Sequence, residues 1–422
     1  MPIQQADQPA AAGKKIIIVG AGIAGLSLAL SIRKQWPDGP PPPSLTIYER
    51  ESNDSMHSRE GYSLSIRGDA LSGGMQVLQR LDSLERLLAL SLSAQNSRPG
   101  SFNLWSTDWT SLLRVSPTTT TKCDDGGRIP AGMRISRSRL RRVLINAICE
   151  SDRIVWNSPC THTEPLLVPP QGRTRVHFPD GGYDDCDILS KIRAQLRPHD
   201  TLDFTGIVCI SASARFPEGD VPDPVDADWG GVLGAGNGVG LFVAPVSSSS
   251  ALWSLSYPSA TPRERLGRPF TKDEVDALLA EALEKGRGFC EPFQRLVRAT
   301  DPETLTVLNA MDKQPFGHGS ATGTEAGRVV FIGDANHAVS PFAGNGANMA
   351  MLDGWDLAEQ LARNSSMETA LEAYDGRSMP RSASTVRHSR WAIDMMHATG
   401  LKLAVYRGLL WLVGLVMRWK QG

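Results

Sequence analysis

The chain has 422 residues, of which 41% are hydrophobic and 21% charged, and its formal net charge is −1. This length exceeds what a single hydrophobic core usually supports, so at least two domains are expected. The near-neutral charge argues against nucleic acid as a partner, because proteins that bind nucleic acids carry an excess of basic residues. The six cysteines are scattered, without C-x-x-C or zinc spacing, which predicts reduced thiols, no structural metal and a cytoplasmic location.

The chain opens with a predicted strand, turn, helix and second strand. The apolar run Ile-Ile-Ile-Val predicts a buried strand, Ile23–Gln35 has the apolar spacing of a helix, and Leu45–Tyr48 predicts the next strand. The proline-rich segment 36–43 between helix and strand predicts a surface loop. This order is typical of a βαβ unit.

The turn of this unit carries the glycine pattern G-x-G-x-x-G. Gly20 permits a tight turn, Gly22 lets the backbone approach a pyrophosphate, and Gly25 lets helix and strand pack closely. Glu49 ends the second strand, where a carboxylate accepts hydrogen bonds from ribose hydroxyls. Because strand, glycines, helix and acid occur in this order, we predict a Rossmann-type dinucleotide site and not a chance glycine turn.

Later segments alternate between predicted helices and hairpins, and 117–127 is predicted to be a loop. The predicted elements are helices over 74–92, 138–148 and 272–286, hairpins over 173–189 and 240–257, a strand over 328–332, a helix from about 347 to 362, and mostly helix over the last fifty or so residues.

An apolar segment, Gly408–Met417, lies between two arginines near the C-terminal end. Ten residues are too few to cross a bilayer core of roughly 30 Å. The main expectation is a terminal helix packed on the protein. Weak contact with a membrane surface, which would make the protein membrane-peripheral, is the alternative.

Residues 333–347 form a second candidate ligand site. The predicted strand delivers Gly333 and Asp334, and Gly344-Asn345-Gly346 opens a helix. Asp334 can accept a hydrogen bond from a polyol hydroxyl, while the backbone N–H groups of Gly346 and Ala347 can donate to a ligand. A simple capped helix after a buried strand would explain Asp334 but not the small residues that crowd this turn.

This segment resembles the second flavin motif of the FAD-dependent aromatic-ring hydroxylases, the flavin monooxygenases with the para-hydroxybenzoate hydroxylase fold. That motif reads G-D-A-x-H-x-x-x-P-x-x-G-x-G. The residues in register are Gly333, Asp334, Ala335, His337, Pro341, Gly344 and Gly346. The resemblance extends from Lys14 to about Arg363 and implies that the dinucleotide is FAD.

Two further segments carry the resemblance. Residues 135–141 resemble the family's R-x-x-L-R helix start, which implies that Arg137 reaches the flavin side of the site; a solvated charge at the helix start is the alternative. Residues 61–66 resemble the strand after the Glu-Arg pair in the tetracycline-inactivating branch, which adds Arg50 and Gly61 to the implied cofactor residues. Arg59 is then a candidate for NADPH, with an exposed loop arginine as the alternative.

The family's third motif, roughly D-L-L-V-G-A-D-G-x-x-S-x-V-R, is incomplete. The strand Asp187-Ile188-Leu189 runs directly into Ser190 and Arg193, so the V-G-A-D-G-x-x stretch is missing. We expect this loss to shorten or unpair a strand beside the flavin. An incorrectly predicted gene structure, a weakened enzyme and a flavin-binding pseudo-enzyme without turnover are the three explanations.

The resemblance implies an α/β fold, with a Rossmann-type FAD-binding domain built on a parallel sheet, a mostly antiparallel substrate-domain sheet, and C-terminal helices. The implied segments are the FAD-binding domain over 14–190, with some substrate-domain insertions, and 323–365, the substrate domain over 191–322, and the C-terminal helices over 366–422.

The implied activity is a monooxygenase in which NADPH or NADH reduces FAD and O2 supplies one oxygen atom to a small hydrophobic substrate of aromatic, polyketide or terpenoid type, in secondary metabolism. Hydroxylation, epoxidation and other oxygen insertions stay open. The residues expected to line the substrate pocket are Phe204, Phe242, Trp253 and Phe342, with ordinary core packing, the commoner role of aromatic residues in strands, as the alternative. His337 lies inside the cofactor motif, where a structural role is expected, and no catalytic residue is assigned. An FAD-linked oxidase or dehydrogenase, reduced by its own substrate, is the alternative function.

Overall fold

The structure is a computed structural model that describes residues 8–53, 63–69, 73–92, 100–115, 120–122, 127–166, 173–190, 193–197, 199–234, 236–320 and 329–421. Its strands are β1 (Lys15–Val19), β2 (Ser44–Tyr48), β3 (Ser63–Arg67), β4 (Phe102–Trp105), β5 (Ser111–Val115), β6 (Thr120–Lys122), β7 (Arg128–Pro130), β8 (Gly132–Ser136), β9 (Arg153–Val155), β10 (His162–Leu166), β11 (Arg173–His177), β12 (Tyr183–Cys186), β13 (Ile188–Ser190), β14 (Asp203–Arg215), β15 (Trp229–Val232), β16 (Gly240–Ser247), β17 (Ser250–Pro258), β18 (Thr306–Asp312) and β19 (Val329–Val330). Its α-helices are α1 (Ile23–Gln35), α2 (Gly74–Arg80), α3 (Leu84–Ala89), α4 (Arg137–Asn146), α5 (Arg193–Leu196), α6 (Lys272–Lys285), α7 (Phe293–Arg298), α8 (Asp334–His337), α9 (Gly346–Arg363), α10 (Met367–Met396) and α11 (Gly400–Gln421).

A parallel sheet forms the centre of the first unit. Its strand order is β19-β13-β1-β2-β9, and each adjacent pair is parallel. The predicted strand, helix and strand at the start of the chain are confirmed as β1, α1 and β2. The interior strand β1 has three fully buried isoleucines, Ile16, Ile17 and Ile18, as expected for a sheet covered on both faces.

The strand affected by the missing stretch, β13, is short but paired on both sides. Ile188, Leu189 and Ser190 face Ile16, Ile17 and Ile18 of β1, whereas Val19 has no partner on β13. The strand is therefore not unpaired over its described residues, and its shortening relative to the family stays a prediction. Among the described residues, the next strand, β19, covers Val329–Val330 of the predicted 328–332, and both residues pair with β13.

A seven-stranded sheet forms the second unit, in the order β18-β14-β17-β16-β15-β4-β5. All neighbours are antiparallel except β15 and β4, so the prediction of a mostly antiparallel substrate sheet is confirmed. The predicted hairpin around the serine run appears as β16 and β17. Strands β4 and β5 come from the first half of the chain, and α6 and α7 cover one face of this sheet.

Two predicted elements differ in the structure. The helix predicted over 74–92 is two helices, because Asp82 adopts φ 54°, a left-handed conformation that does not continue an α-helix. The loop predicted over 117–127 contains strand β6, which pairs with β7.

The two halves of the first unit are joined by α1 and α9, which pack closely because one contact point has no side chain. A Cβ added to Gly354 of α9 would lie 2.6 Å from the Leu28 nitrogen and 2.8 Å from the Ser27 carbonyl carbon of α1. Only glycine permits this approach without displacing a backbone. The helix that follows, α10, packs on α9, and α11 extends to the end of the described chain.

No single helix among the described residues has the length and hydropathy of a membrane span. The helices Met367–Met396 and Gly400–Val416, which are bent by 110° relative to each other, reach the length and hydropathy of a span only when they are taken as a pair.

The helix contact at Gly354 should be sensitive to one methyl group. We expect Gly354→Ala to lower the free energy of unfolding by about 1–3 kcal/mol, because the added carbon overlaps the α1 backbone. Gly376→Ala is the matched control: this exposed glycine of α10 has no atom within 4 Å of an added Cβ, and the change should stabilise the helix by about 0.5–1 kcal/mol. Urea unfolding of both variants measures the difference, and equal stabilities would show that α1 and α9 do not pack this closely.

Candidate cofactor-binding site

The first glycine turn has the geometry expected of a dinucleotide site. Gly20 has φ 102°, and its N–H donates to the Tyr48 carbonyl at 2.7 Å, which links the turn to β2. A Cβ on Gly25 would lie 2.3 Å from the Gly20 oxygen, so α1 approaches the end of β1 closely. The predicted steric roles of Gly20 and Gly25 are met by this geometry.

Two glycines face open space instead. A Cβ on Gly22 or on Gly346 would meet no heavy atom within 4 Å, and neither residue has a positive φ. Between Gly344 and Gly346, the Asn345 side-chain oxygen is buried and has no hydrogen-bond partner among the described residues. Backbone N–H groups beside the two open glycines fit the pyrophosphate and carbonyl groups of FAD, and the Asn345 oxygen fits a hydrogen-bond donor of the ligand.

Glu49 lies where the sequence predicts it, at the end of β2, and its carboxylate is almost fully buried. Oε2 accepts the Ala21 N–H at 2.8 Å and Nη2 of Arg141 at 3.0 Å, and Oε1 accepts the Glu51 N–H at 3.1 Å. A carboxylate has about four acceptor positions, so about one is left for a ribose hydroxyl.

Arg141 is the site residue that the sequence reasoning missed. Its guanidinium is 3% exposed, and Nε donates to the Ala21 carbonyl at 2.6 Å while Nη2 contacts Glu49. Arg141 therefore fixes both the first glycine turn and the ribose-site carboxylate. The sequence signal that could have identified Arg141 is its position as the last residue of the R-x-x-L-R segment, one helical turn after Arg137.

The structure places Arg137 and Arg50 differently. Arg137 is the first residue of α4 and is partly buried, after a Ser136 cap that accepts the Arg139 N–H. Arg50 follows Glu49 directly and is exposed. Arg59 and Gly61 lie outside the described residues.

The second motif meets the first through Gly333. This residue has φ 56°, and a Cβ on it would lie 3.3 Å from the Ala24 Cβ of α1 and 3.7 Å from the Ala350 Cβ of α9. Asp334 comes next, at the start of α8, and is exposed. Gly346 and Ala347 begin α9, where the first N–H groups of a helix have no acceptor within it. The structure thus brings together two turns that are far apart in the chain.

Asp353 holds the second motif in place from within α9. Its Oδ2 accepts the Gly333 N–H at 2.8 Å and lies 2.6 Å from Nε2 of His337, while Oδ1 lies 3.0 Å from Nη2 of Arg381. Burial opposes ionisation of Asp353, but His337 and Arg381 keep its pKa well below the usual range. Burial alone would lower the pKa of His337, and the Asp353 charge outweighs it, so that pKa is raised.

His337 therefore has a structural role, as a buried partner of Asp353. Its ring is 1% exposed and is held by Asp353, so it is not presented to a substrate. This agrees with the structural role that the sequence predicts for it.

The aromatic residues predicted to line one pocket lie on two faces of the seven-stranded sheet. Trp253 pairs with Val243, so its side chain lies on the opposite face from Phe242, which pairs with Ser254. Trp253 is fully buried under α7 and donates to the Thr300 hydroxyl, and Phe204 packs against the same cluster. Including Trp253 and Phe204 in the pocket was wrong, because both belong to the helix-covered core.

Phe242 and Phe342 lie apart from that core. Phe242 approaches the buried guanidinium of Arg134 at 5.8 Å, and Phe342 packs edge-on against His397 at 5.4 Å. Arg134 itself donates to the Ser65 hydroxyl at 2.8 Å and the Ser63 carbonyl at 2.9 Å on β3. Burial lowers the pKa of Arg134 to about 9. A buried cation thus lies between the β3–β8 ribbon and the Phe242 side of the sheet.

The Asp353 contacts should dominate the stability of this site. We expect Asp353→Asn to lower the free energy of unfolding by about 3–5 kcal/mol, because His337 would lose its buried counter-charge and Arg381 would lose one of its two carboxylate partners and keep Asp356. Asp394→Asn is the matched control. That carboxylate pairs with Lys402 at the surface, so the change should lower the free energy of unfolding by less than about 1 kcal/mol. Urea unfolding compares the two variants. If Asp353→Asn left the free energy of unfolding unchanged, Asp353 would not be the residue that holds this turn in place.

Comparison with known proteins identifies the family. The family model described as "FAD binding domain" matches residues 289–389. Monooxygenase cfoF of Aspergillus candidus is 36% identical over 400 residues, which cover 92% of this chain and 93% of that protein. Among solved structures, Klebsiella pneumoniae HpxO complexed with FAD and uric acid has a TM-score of 0.70 at 21% identity, covering 94% of this chain and 92% of that chain.

The tetracycline destructase Tet(51) shares the fold, with a TM-score of 0.62 at 14% identity over 96% of this chain and 97% of that chain. A 36% identical relative that spans nearly the whole chain, the family match and the glycine geometry agree with one another. The chain belongs to the FAD-dependent monooxygenases of the aromatic-ring hydroxylase family, which have the para-hydroxybenzoate hydroxylase fold.

Proposed function

We propose that this flavin monooxygenase uses NADPH or NADH and O2 to oxygenate a small hydrophobic molecule of aromatic, polyketide or terpenoid type, as part of secondary metabolism. The observation that carries the proposal is that the two glycine motifs are joined by the Gly333–Ala24 and Gly354–Leu28 contacts and that each begins a helix at a glycine facing open space, Gly22 and Gly346. The family relationship supports the reductant, and the full-length similarity to a fungal monooxygenase supports the reaction class. The described free cysteines, which form no disulfide, support a cytoplasmic location.

Different residues of the chain would bind different parts of the cofactor. FAD, when bound, supplies the redox chemistry and the activation of O2. Glu49 would accept from the ribose, the N–H groups at the start of α1 and α9 would face the phosphates and the ring carbonyl, and Asp334 would accept from the polyol chain. Arg141 pairs with Glu49 at 3.0 Å and orients its carboxylate for this role.

The substrate class follows from the Phe242 side of the seven-stranded sheet. Phe242, Trp229 and Phe342 supply apolar surface there, and strands β3 and β16 are tied by the Ser63 hydroxyl, which donates to the Pro245 carbonyl at 2.9 Å. Such a dry, aromatic wall binds hydrophobic rings and keeps water from the reacting atoms. Arg134 adds positive charge behind this wall, which would favour a substrate with an acidic hydroxyl group.

The missing Asp-Gly turn bears on turnover and not on the fold. Strand β13 remains in register between β1 and β19, so the framework around the cradle is intact. The loss falls directly after β13 in the sequence, where the family resemblance implies contacts to FAD and to the nicotinamide. We expect slower reduction and weaker cofactor binding than in relatives with the full motif.

Anaerobic mixing of purified, FAD-loaded protein with NADPH and separately with NADH tests the proposed reductant. We expect the visible flavin band to bleach, faster in the presence of phenolic or polycyclic candidate substrates, because nicotinamide is the electron source. Under isotopically labelled O2, one labelled oxygen atom should enter the product. Bleaching by substrate alone would indicate an oxidase or dehydrogenase, and retained FAD with no bleaching under any condition would indicate a pseudo-enzyme.

The Glu49 carboxylate can be tested without changing its shape. We expect Glu49→Gln to raise the Kd for FAD by about tenfold or more, because the amide loses the charge-assisted bond and leaves Arg141 buried with less compensation. Glu51→Gln is the matched control, since Glu51 lies 3.6 Å from Arg141 and is partly exposed, and its Kd should change little. Titration of the apoprotein with FAD, followed by flavin fluorescence, measures both. Equal Kd values for the wild type and Glu49→Gln would exclude Glu49 from the ribose site.

A further inference from the structure

The last helix, α11, exposes an apolar outer face. Leu401 is 82% exposed, which is extreme for a leucine in a folded chain. The other large apolar residues that α11 exposes, each by roughly half, are Val405, Leu409, Trp411, Leu412, Val413, Leu415 and Val416. A contiguous apolar surface of this kind marks a contact site and not ordinary surface composition.

The inner face of α11 is apolar as well, and it packs on the protein. Leu403 is buried in a cluster with Leu104, Leu233 and Met396, and Leu410 packs against the same cluster. A Cβ on Gly414 would lie 2.4 Å from the Leu112 carbonyl oxygen of β5, so the helix lies directly on that strand. A surface helix normally has a polar outer face, so the outer face of α11 needs a cover that the rest of the described chain does not provide.

The charges of α11 have one sign. The helix contains Lys402, Arg407, Arg418 and Lys420 and no aspartate or glutamate. Lys402 lies on a flank of the outer face, beside Asp394 of α10, whereas Arg407 lies toward the inner face and donates to the Gly234 carbonyl at 3.1 Å. The excess of cations on α11 complements anionic headgroups, which lie beside the apolar layer of a membrane. Two copies of α11 placed face to face would instead bring like charges together.

Aromatic side chains border the same face. Trp391 of α10 is 53% exposed and packs edge-on against Tyr406, and Trp411 is exposed to a similar degree. Tryptophan and tyrosine favour the boundary between headgroups and acyl chains, because each has an apolar ring and a polar group.

We propose that the outer face of α11 binds an anionic lipid surface, with the helix axis in the plane of the membrane. The inner face stays on β5, so only the outer side of α11 enters the boundary between headgroups and acyl chains. Lys402, which is exposed, then lies at headgroup level with its aliphatic stem on the apolar side, and Arg418 and Lys420 follow the apolar stretch in the sequence. This proposal does not depend on the substrate or the reductant.

Co-sedimentation of the full-length, FAD-loaded protein with vesicles tests this surface. One vesicle set contains phosphatidylcholine alone, and the other contains phosphatidylcholine and phosphatidylserine in about equal parts. We expect the protein to pellet with the anionic vesicles and to be released by added salt, which screens the headgroup charge. The double variant Leu409→Glu/Leu412→Glu should bind about tenfold less or weaker still, because it adds two negative charges to the apolar face.

Leu266→Glu is the matched control, because Leu266 is an exposed leucine outside α11 and its loss should leave binding unchanged. Bound flavin and circular dichroism confirm that each variant is folded. The proposal is overturned if the wild type stays in solution with anionic vesicles, or if Leu409→Glu/Leu412→Glu binds as the wild type does. A concentration-dependent dimer that the same variant abolishes would also overturn it, since a second copy would then cover the face.

Discussion

The close packing of α1 against α9 is the constraint on which the cofactor site depends. The helices begin at the Gly20 and Gly344 turns, which lie far apart in the chain, and they approach because Gly354 has no side chain at the crossing point. Gly333 lies against Ala24 for the same reason. Small residues at the contact therefore decide where the two helix N-termini point, and that direction decides whether one elongated ligand can reach both.

Two buried carboxylates then fix the turns that the helices bring together. Glu49 joins the Ala21 N–H to Arg141, and Asp353 joins the Gly333 N–H to His337 and Arg381. Each carboxylate is paired with a cation and accepts a backbone N–H, which offsets the cost of burying its charge. Because Asp353 also contacts Arg381 of α10, the conformation of the Gly333 turn is coupled to the packing of the C-terminal helices.

Local patterns predicted the first unit well, because its signals are contiguous. The apolar run before Gly20, the helical spacing over Ile23–Gln35 and the acid after β2 follow one another along the chain, and each matches the structure within a residue or so. The resemblance added the distant Gly333 motif, and the geometry of both turns agrees with it.

Contacts that depend on tertiary packing were not predictable in the same way. Arg137 and Arg141 lie in the same arginine-rich segment, and only the angle at which α4 meets α1 shows that Arg141 reaches Glu49. Trp253 and Phe242 are both aromatic residues in strands, and only the pairing register shows that they lie on opposite faces. Asp353 had no motif to mark it, because its partners come from three separate helices and turns.

The central claim is that Gly22 and Gly346 leave open a space that FAD fills, and flavin content after purification tests it most directly. An added Cβ at either position meets nothing within 4 Å, so a valine side chain begins in open space and extends into the cradle. We expect Gly22→Val and Gly346→Val to fold as stably as the wild-type apoprotein and to be colourless, whereas the wild type and Gly267→Val, a loop glycine that also faces open space, retain FAD. Stoichiometric FAD in both cradle variants would contradict the account.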